Sequence, residues 1–180
     1  MDKKKKFIAV IGKCKAGKST IIASLTGCRN RGYQGMVTNN ESGESIYVIV
    51  NSPQEERLSK KNEIKGTEKE IFQHILTQVK ETKDCLGLVM AIRPSKPRSK
   101  EILSLEDIVQ EILKYKNDFD LYLFVLDPAY NPEGSSDFIE LSNRLEKLDL
   151  SKPRKLNGER FALINAFKIN QETQLFPELL

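Results

Sequence analysis

Cysteine and histidine are both scarce in this chain. The three cysteines among its 180 residues, Cys14, Cys28 and Cys85, have no paired spacing. An odd, scattered set argues against a disulfide framework or a zinc site and favours a reducing compartment. His74 is the only histidine, and it falls on the flank of an expected helix, where a surface or packing role outweighs that of a base.

Long apolar runs are also missing. No run approaches the roughly 20 residues that a membrane-spanning helix needs. The chain starts with a lysine run that leads into a short apolar segment and a glycine, which is unlike a secretory signal. We therefore expect a cytoplasmic protein with no transmembrane segment.

The basic residues are concentrated at one point only. The formal net charge is +4, and four lysines stand together at residues 3–6. Such a run is typical of a solvated terminus, and a tether to nucleic acid or membrane is the alternative. No other stretch concentrates Lys and Arg on one face, so there is no strong nucleic-acid signal.

The apolar residues are numerous enough for one compact domain. They make up 39% of the chain, which at this length supports a single sizeable core. We expect a domain over residues 7–170, preceded by a basic tail at 1–6 and followed by a C-terminal segment at 171–180.

Short apolar runs alternate with helical periodicity. Buried strands are predicted at residues 7–11, 85–92, 121–126 and 161–164, and a hairpin at 35–38 and 45–50. Helices are predicted at residues 18–25, 63–80, 101–116 and about 138–148. Apolar strands separated by amphipathic helices predict an α/β protein, a three-layer α/β/α fold of the P-loop NTPase type, with a mostly parallel sheet of about six strands.

The segment between the first strand and the first helix carries a phosphate-binding motif. Residues 12–19, GKCKAGKS, match G-x-x-x-x-G-K-[ST] without a gap. The two glycines let successive backbone N–H groups point at phosphate oxygens, and the following helix adds its positive dipole end. Lys18 is expected to reach the β- and γ-phosphates, and Ser19 to hold Mg²⁺. The predicted nucleotide-binding residues are Gly12, Lys13, Cys14, Lys15, Ala16, Gly17, Lys18, Ser19 and Thr20.

A second acidic candidate follows another predicted strand. Asp127 comes directly after four apolar residues at 123–126, which is what a Walker B strand looks like. In that case Asp127 joins Ser19 at the metal and the protein is an ATPase-like P-loop protein. The alternative is a turn-forming aspartate before Pro128.

Residues 8–27, IAVIGKCKAGKSTIIASLTG, resemble the first motif of translation-factor-related GTPases, and especially of bacterial dynamin-like and ribosome-biogenesis GTPases. The resemblance implies a small-GTPase-like domain across most of the chain. Thr38 stands 19 positions after Ser19, where such families have the switch threonine that senses Mg²⁺ and the γ-phosphate. An ordinary strand threonine is the alternative.

The later motifs of that family are altered in this chain. Asn51 occupies the aspartate slot of D-x-x-G and Gln54 its glycine slot, from which a backbone N–H still reaches a γ-phosphate. Residues 127–130, DPAY, replace the guanine-reading motif, so guanine specificity is unsupported. Residues 165–168, NAFK, loosely match the final S-A-K motif, which would lay Lys168 along the base.

We therefore expect a slow or regulated Mg²⁺-dependent nucleoside triphosphatase that uses ATP or GTP, with Lys18, Thr38 and Gln54 as its catalytic candidates. A protein partner or a homodimer is compatible with this function. The alternatives are a nucleotide-binding regulatory module without turnover and a small-molecule kinase. A kinase needs several arginines in a lid, and only Arg93 and Arg98 cluster here. Glu55 and Glu56 either position water or begin a solvated helix.

Overall fold

The computed structural model describes residues 4–28, 30, 32–60, 65–95, 97, 99–131, 133, 136–148 and 153–176. The expectations for Lys3, Arg98 and residues 177–180 fall outside this part of the chain. The strands are β1 (Lys5–Ile11), β2 (Gln34–Thr38), β3 (Ser45–Ile49), β4 (Cys85–Ile92), β5 (Phe119–Leu126) and β6 (Arg154–Leu156). The helices are α1 (Lys18–Thr26), α2 (Glu68–Glu81), α3 (Leu105–Leu113), α4 (Phe138–Glu146) and α5 (Ala162–Thr173), with a 3₁₀ turn at Leu58–Lys60.

The six strands form one sheet in the order β2-β3-β4-β1-β5-β6. β2 and β3 are the predicted antiparallel hairpin, and every other neighbouring pair is parallel. β1 therefore lies between β4 and β5, with Ile11 level with Ile92 and Val125. This confirms the α/β fold with a mostly parallel six-stranded sheet.

Two hydrophobic cores lie on opposite faces of the sheet. Alternate residues of β1 divide between them: Phe7, Ala9 and Ile11 pack with α2, α3 and α4, whereas Ile8 and Val10 pack with α1 and α5. Because both faces are covered, the inner strands are apolar along their length, as parallel sheets require. The helices on each side complete the three layers.

The ends of the helices follow from local sequence. Thr67 and Glu70 form a capping box at the start of α2, and Ser104 and Asp107 form one at the start of α3. Gly27 ends α1 in the left-handed conformation, with φ 71°, which a glycine adopts without a steric penalty.

The prediction of a last strand at residues 161–164 is wrong. Those residues enter and begin α5, and the sixth strand is the three-residue β6. The apolar run that suggested a strand is exposed, with Phe161 82% and Leu163 69% accessible. Because α5 begins at Ala162, residues 165–168 lie inside this helix and not in a loop beside the nucleotide site.

The basic run also extends into the sheet. β1 begins at Lys5, whose Nζ donates hydrogen bonds to the carbonyl oxygens of Thr82, Lys83 and Cys85. The last two lysines of the expected tail, Lys5 and Lys6, thus belong to β1. At the other end, α5 runs to Thr173 and so extends into the expected C-terminal segment at 171–180. Within the described ranges, no helix is long and apolar enough to cross a membrane.

Gly87 sets the close approach of β4 to β1. A Cβ at this position would lie 2.0 Å from the backbone oxygen of Lys6, so Gly87→Ala must push apart the central strands. We expect a loss of at least about 3 kcal/mol in the free energy of unfolding, the upper range for overpacked cores. Urea denaturation measures it.

Gly43→Ala is the matched control. Gly43 has φ +73° and open space around its Cβ position, so only the left-handed backbone penalty applies, about 1 kcal/mol. Equal losses in the two variants would contradict the packing argument for Gly87.

Candidate functional site

The motif loop lies where β1 leaves the sheet, between the ends of β4 and β5. The Gly12 N–H donates to the carbonyl oxygen of Ile92 at 3.1 Å, which ties the loop to β4. A Cβ on Gly12 would come 2.8 Å from the Cβ of Ala16. The loop therefore folds back on itself so closely that only glycine fits at its first position.

The far end of the loop opens the N terminus of α1. Lys15 and Gly17 have positive φ angles of 60° and 96°, so the backbone coils tightly before the helix begins. Gly17 is the N-cap residue, and within the described chain no side chain caps this helix. The first-turn N–H groups are thus left to a ligand, and the helix dipole favours a negative one.

Lys18 is folded over the loop. It is 4% exposed, and its Nζ donates to the carbonyl oxygen of Lys13 at 2.7 Å. Glu55 Oε1 lies 3.7 Å from the same Nζ, although Glu55 follows a different strand. Burial lowers the pKa of Lys18 from its ordinary value of 10.5, and the carboxylate of Glu55 opposes that shift. A buried ammonium held in this way is well suited to exchange its partner for a phosphate oxygen.

A second cation stands beside Lys18. Arg93 directly follows β4, and its positive charge also lowers the pKa of Lys18. Its Nε is buried and has no hydrogen-bond partner among the residues that the structure describes. The positive charge of Arg93 thus adds to that of Lys18 beside the loop, and this favours an anion.

Ser19 faces the end of β3. Its Oγ lies 3.5 Å from the carbonyl oxygen of Val50, a long contact that leaves the hydroxyl available to a stronger partner. Asn51 follows Val50 in the chain, and its side-chain Nδ2 donates to Glu56 Oε2 at 2.8 Å. Hydroxyl, amide and carbonyl oxygens suit Mg²⁺, which commonly takes few protein ligands and completes its shell with water and phosphate. The Ser19 hydroxyl therefore fits the ion as a candidate direct ligand.

Asp127 does not meet Ser19. The ends of β3 and β5 are three strand spacings apart, about 14 Å, and β4 and β1 lie between them. Asp127 Oδ2 instead pairs with Lys155 Nζ at 2.9 Å. This corrects the expected Ser19–Asp127 metal pair: the two residues lie on opposite sides of the P-loop strand.

Thr38 lies at the end of the sheet opposite to the P-loop. Because β2 runs antiparallel to β3, Thr38 pairs with Ser45 at the start of β3, and Ser45 pairs with Cys85 at the start of β4. The P-loop lies beyond the opposite ends of these strands. The expected switch role for Thr38 is therefore not met, because the threonine comes after β2 has run away from the loop.

Gln54 is near the loop, but its side chain is already engaged. Its Oε1 accepts from the backbone N–H of Arg93 at 3.1 Å, and its Nε2 donates to the carbonyl oxygen of Leu103 at 2.5 Å. The side chain ties the segment after β3 to the end of β4. Gln54 thus holds this segment in place, and its backbone is the part left for a catalytic role.

The sequence did not indicate the cavity beside the loop. A space of about 530 Å³ is lined by Gly17, Thr20, Ile21, Tyr130 and residues 158–163, which lead into α5. Tyr130 and Phe161 are 73% and 82% exposed there. The size is that of a small-molecule site, and aromatic faces are what a planar ring stacks on.

Hydrogen bonds join this cavity to the P-loop. Tyr130 N–H lies 3.5 Å from the carbonyl oxygen of Ala16, and Gly158 N–H donates to Pro128 at 2.7 Å. The segments after β5 and β6 are therefore joined to each other, and the first of them lies against the phosphate loop. The sequence did not point to this cavity because a tyrosine within a turn is only a weak signal of a binding site, and because Phe161 was predicted to belong to a strand.

The lowered pKa of Lys18 predicts a pH effect on stability. The folded protein binds fewer protons than the unfolded chain between the lowered pKa and 10.5. Lys18 therefore adds to the free energy of unfolding as pH rises through that window. We expect Lys18→Met, measured by urea denaturation, to be more stable than the wild type at neutral pH and to lose this advantage as pH approaches 10.5. A pH-independent difference would contradict the pKa direction.

Comparison with known proteins yields one distant structural similarity. No protein-family model and no curated protein matches the chain. Among solved structures, the chain is similar to the FeoB G-domain from Methanococcus jannaschii, with 19% identity, a TM-score of 0.41, and 94% of this chain and 97% of that chain covered. A similarity of this size does not place the two chains in one family, and the fold stands on the strand order described above.

Proposed function

We propose that the chain binds a nucleoside triphosphate with Mg²⁺ at the P-loop and hydrolyses it slowly or under regulation. The observation that carries the proposal is the buried Lys18 ammonium, folded over a loop of inward-turning backbone beside an uncapped helix N terminus. Each of these features favours an oxyanion, and residues 12–19 have the G-x-x-x-x-G-K-[ST] spacing of loops that cradle the phosphates of a nucleoside triphosphate.

The residues divide the task by position. The backbone N–H groups of residues 13–20 take the α- and β-phosphates, and Lys18 takes oxygens of the β- and γ-phosphates. Ser19 holds Mg²⁺, which neutralises charge on the phosphates when it is bound. Arg93 supplies a further positive charge from the end of β4.

The base of the nucleotide is proposed to lie in the cavity of Tyr130 and Phe161. The cavity begins at Gly17 and Thr20, so it continues directly from the phosphate site. Stacking on aromatic faces accepts any purine, and the residues at 127–130 offer no guanine-reading carboxylate in the family position. We infer that both ATP and GTP are substrates.

Lys18→Ala tests the phosphate site. We expect at least a tenfold loss of affinity for Mg-ATP and Mg-GTP, about 1.4 kcal/mol or more, because the charge aimed at the β- and γ-phosphates is removed. Isothermal titration calorimetry measures the affinity. Lys80→Ala is the control, since Lys80 pairs with Asp118, which directly precedes β5 at the end of the sheet opposite to the P-loop. Unchanged affinity in Lys18→Ala would remove the P-loop proposal.

Base discrimination tests the cavity. We expect less than a tenfold difference between ATP and GTP, below about 1.4 kcal/mol, and a similar loss for both nucleotides in Tyr130→Ala. A competition titration measures both quantities. A strong GTP preference that disappears in Glu159→Gln would contradict the stacking argument, because it would mean that a carboxylate of the cavity reads the guanine.

A further inference from the structure

The segment after β3 delivers one carboxylate to the phosphate site. Glu55 Oε1 lies 3.7 Å from the Lys18 Nζ, and its side chain is 26% exposed. The adjacent Glu56 turns elsewhere, because its Oε2 accepts a hydrogen bond from Asn51 Nδ2 at 2.8 Å. Of the two neighbouring carboxylates, Glu55 is thus the one that faces the P-loop.

The backbone of Glu55 is also held firmly. The carbonyl oxygen of Ser52 accepts from the N–H groups of Glu55 and Glu56 at 2.8 and 2.9 Å, which closes a tight turn on a fully buried residue. Gln54 fixes the same turn to Arg93 and Leu103. These contacts fix the backbone of Glu55 independently of its ion pair with Lys18, so the side chain still starts from the same place when that pair is broken.

We propose that Glu55 has two successive roles: it pairs with Lys18 before nucleotide binds, and it takes the proton of the attacking water once nucleotide is bound. This inference rests on the proposed function. A carboxylate in contact with Lys18 faces the γ-phosphate as soon as Lys18 binds that phosphate. A general base needs to come within about 2.6–3.2 Å of the water that it deprotonates, and a water bound between Glu55 and the γ-phosphate would meet that condition.

The reaction balances without a further reagent. The water oxygen forms a bond to the γ-phosphorus, and one water proton passes to a Glu55 Oε. The bond from the γ-phosphorus to the β–γ bridging oxygen breaks, and its electron pair leaves with the nucleoside diphosphate, facing Lys18. Inorganic phosphate and diphosphate depart, Glu55 returns its proton to solvent, and Lys18 pairs with Glu55 again.

The two roles predict opposite effects of one substitution. Glu55→Gln removes a competitor for Lys18, so affinity for Mg-ATP should stay equal or rise up to about tenfold. The same change removes the base, so turnover should fall by at least about a hundredfold. Glu55→Asp shortens the side chain but keeps the carboxylate, and should retain an intermediate rate.

The experiment measures affinity by calorimetry and phosphate release at saturating Mg-ATP and Mg-GTP, for the full chain and each variant. Glu101→Gln makes the same charge change at an exposed residue that pairs with Arg57, and should leave both quantities within about twofold. Thermal unfolding confirms that each variant is folded.

Each outcome decides the inference. The two roles would be overturned if Glu55→Gln kept the turnover rate of the wild type or lost tenfold in affinity. They would also be overturned if the wild-type protein bound triphosphate without releasing phosphate. A Glu55→Asp rate no higher than that of Glu55→Gln would refute the proton-transfer role as well. A wild-type protein that binds no triphosphate would instead overturn the proposed function itself.

Discussion

The burial of a positive charge inside a tight backbone loop is the constraint on which the rest of this structure depends. Lys18 is 4% exposed, and burial of an ammonium is costly unless it finds partners. The loop supplies one partner from its own backbone, the carbonyl oxygen of Lys13, and the segment after β3 supplies the other, Glu55. These two partners offset the cost of burial only in part, because the pKa of Lys18 stays below its ordinary value. We propose that a phosphate oxygen takes their place when nucleotide binds.

That constraint acts on the sheet beneath it. The loop keeps its shape because β1 is buried on both faces and fixed between β4 and β5. Gly12 permits the close return of the loop at one end, and Gly87 permits the close approach of β4 further down the same strand pair. The position of Lys18 is thus set by contacts that extend well beyond the motif itself.

The sequence predicted the elements that carry a continuous local signal and missed those that do not. β1, β4 and β5 are apolar along most of their length because helices cover both faces of the sheet, and that pattern is visible without a structure. β6 is three residues long and begins with Arg154 and Lys155, so it has no such pattern. The exposed apolar residues around Phe161 gave a strand signal where the chain in fact enters α5.

The candidate site divides in the same way. The residues of the P-loop are adjacent in sequence, so one motif predicted them together. Partners from other strands depend on strand order, which local patterns do not determine. The placement of β4 between β3 and β1 brings Arg93 to the loop. Asp127 lies on the other side of β1, and the antiparallel direction of β2 carries Thr38 away.

The most direct measurement is the response of the individual backbone amides to a triphosphate. In an amide-resolved NMR titration with Mg²⁺ and a non-hydrolysable triphosphate, the account predicts the largest shifts and the strongest slowing of hydrogen exchange at residues 13–20. Smaller changes should follow at Glu55, Arg93 and Tyr130. Saturable binding that leaves the amides of residues 13–20 unchanged, with its effects elsewhere in the chain, would contradict the central claim.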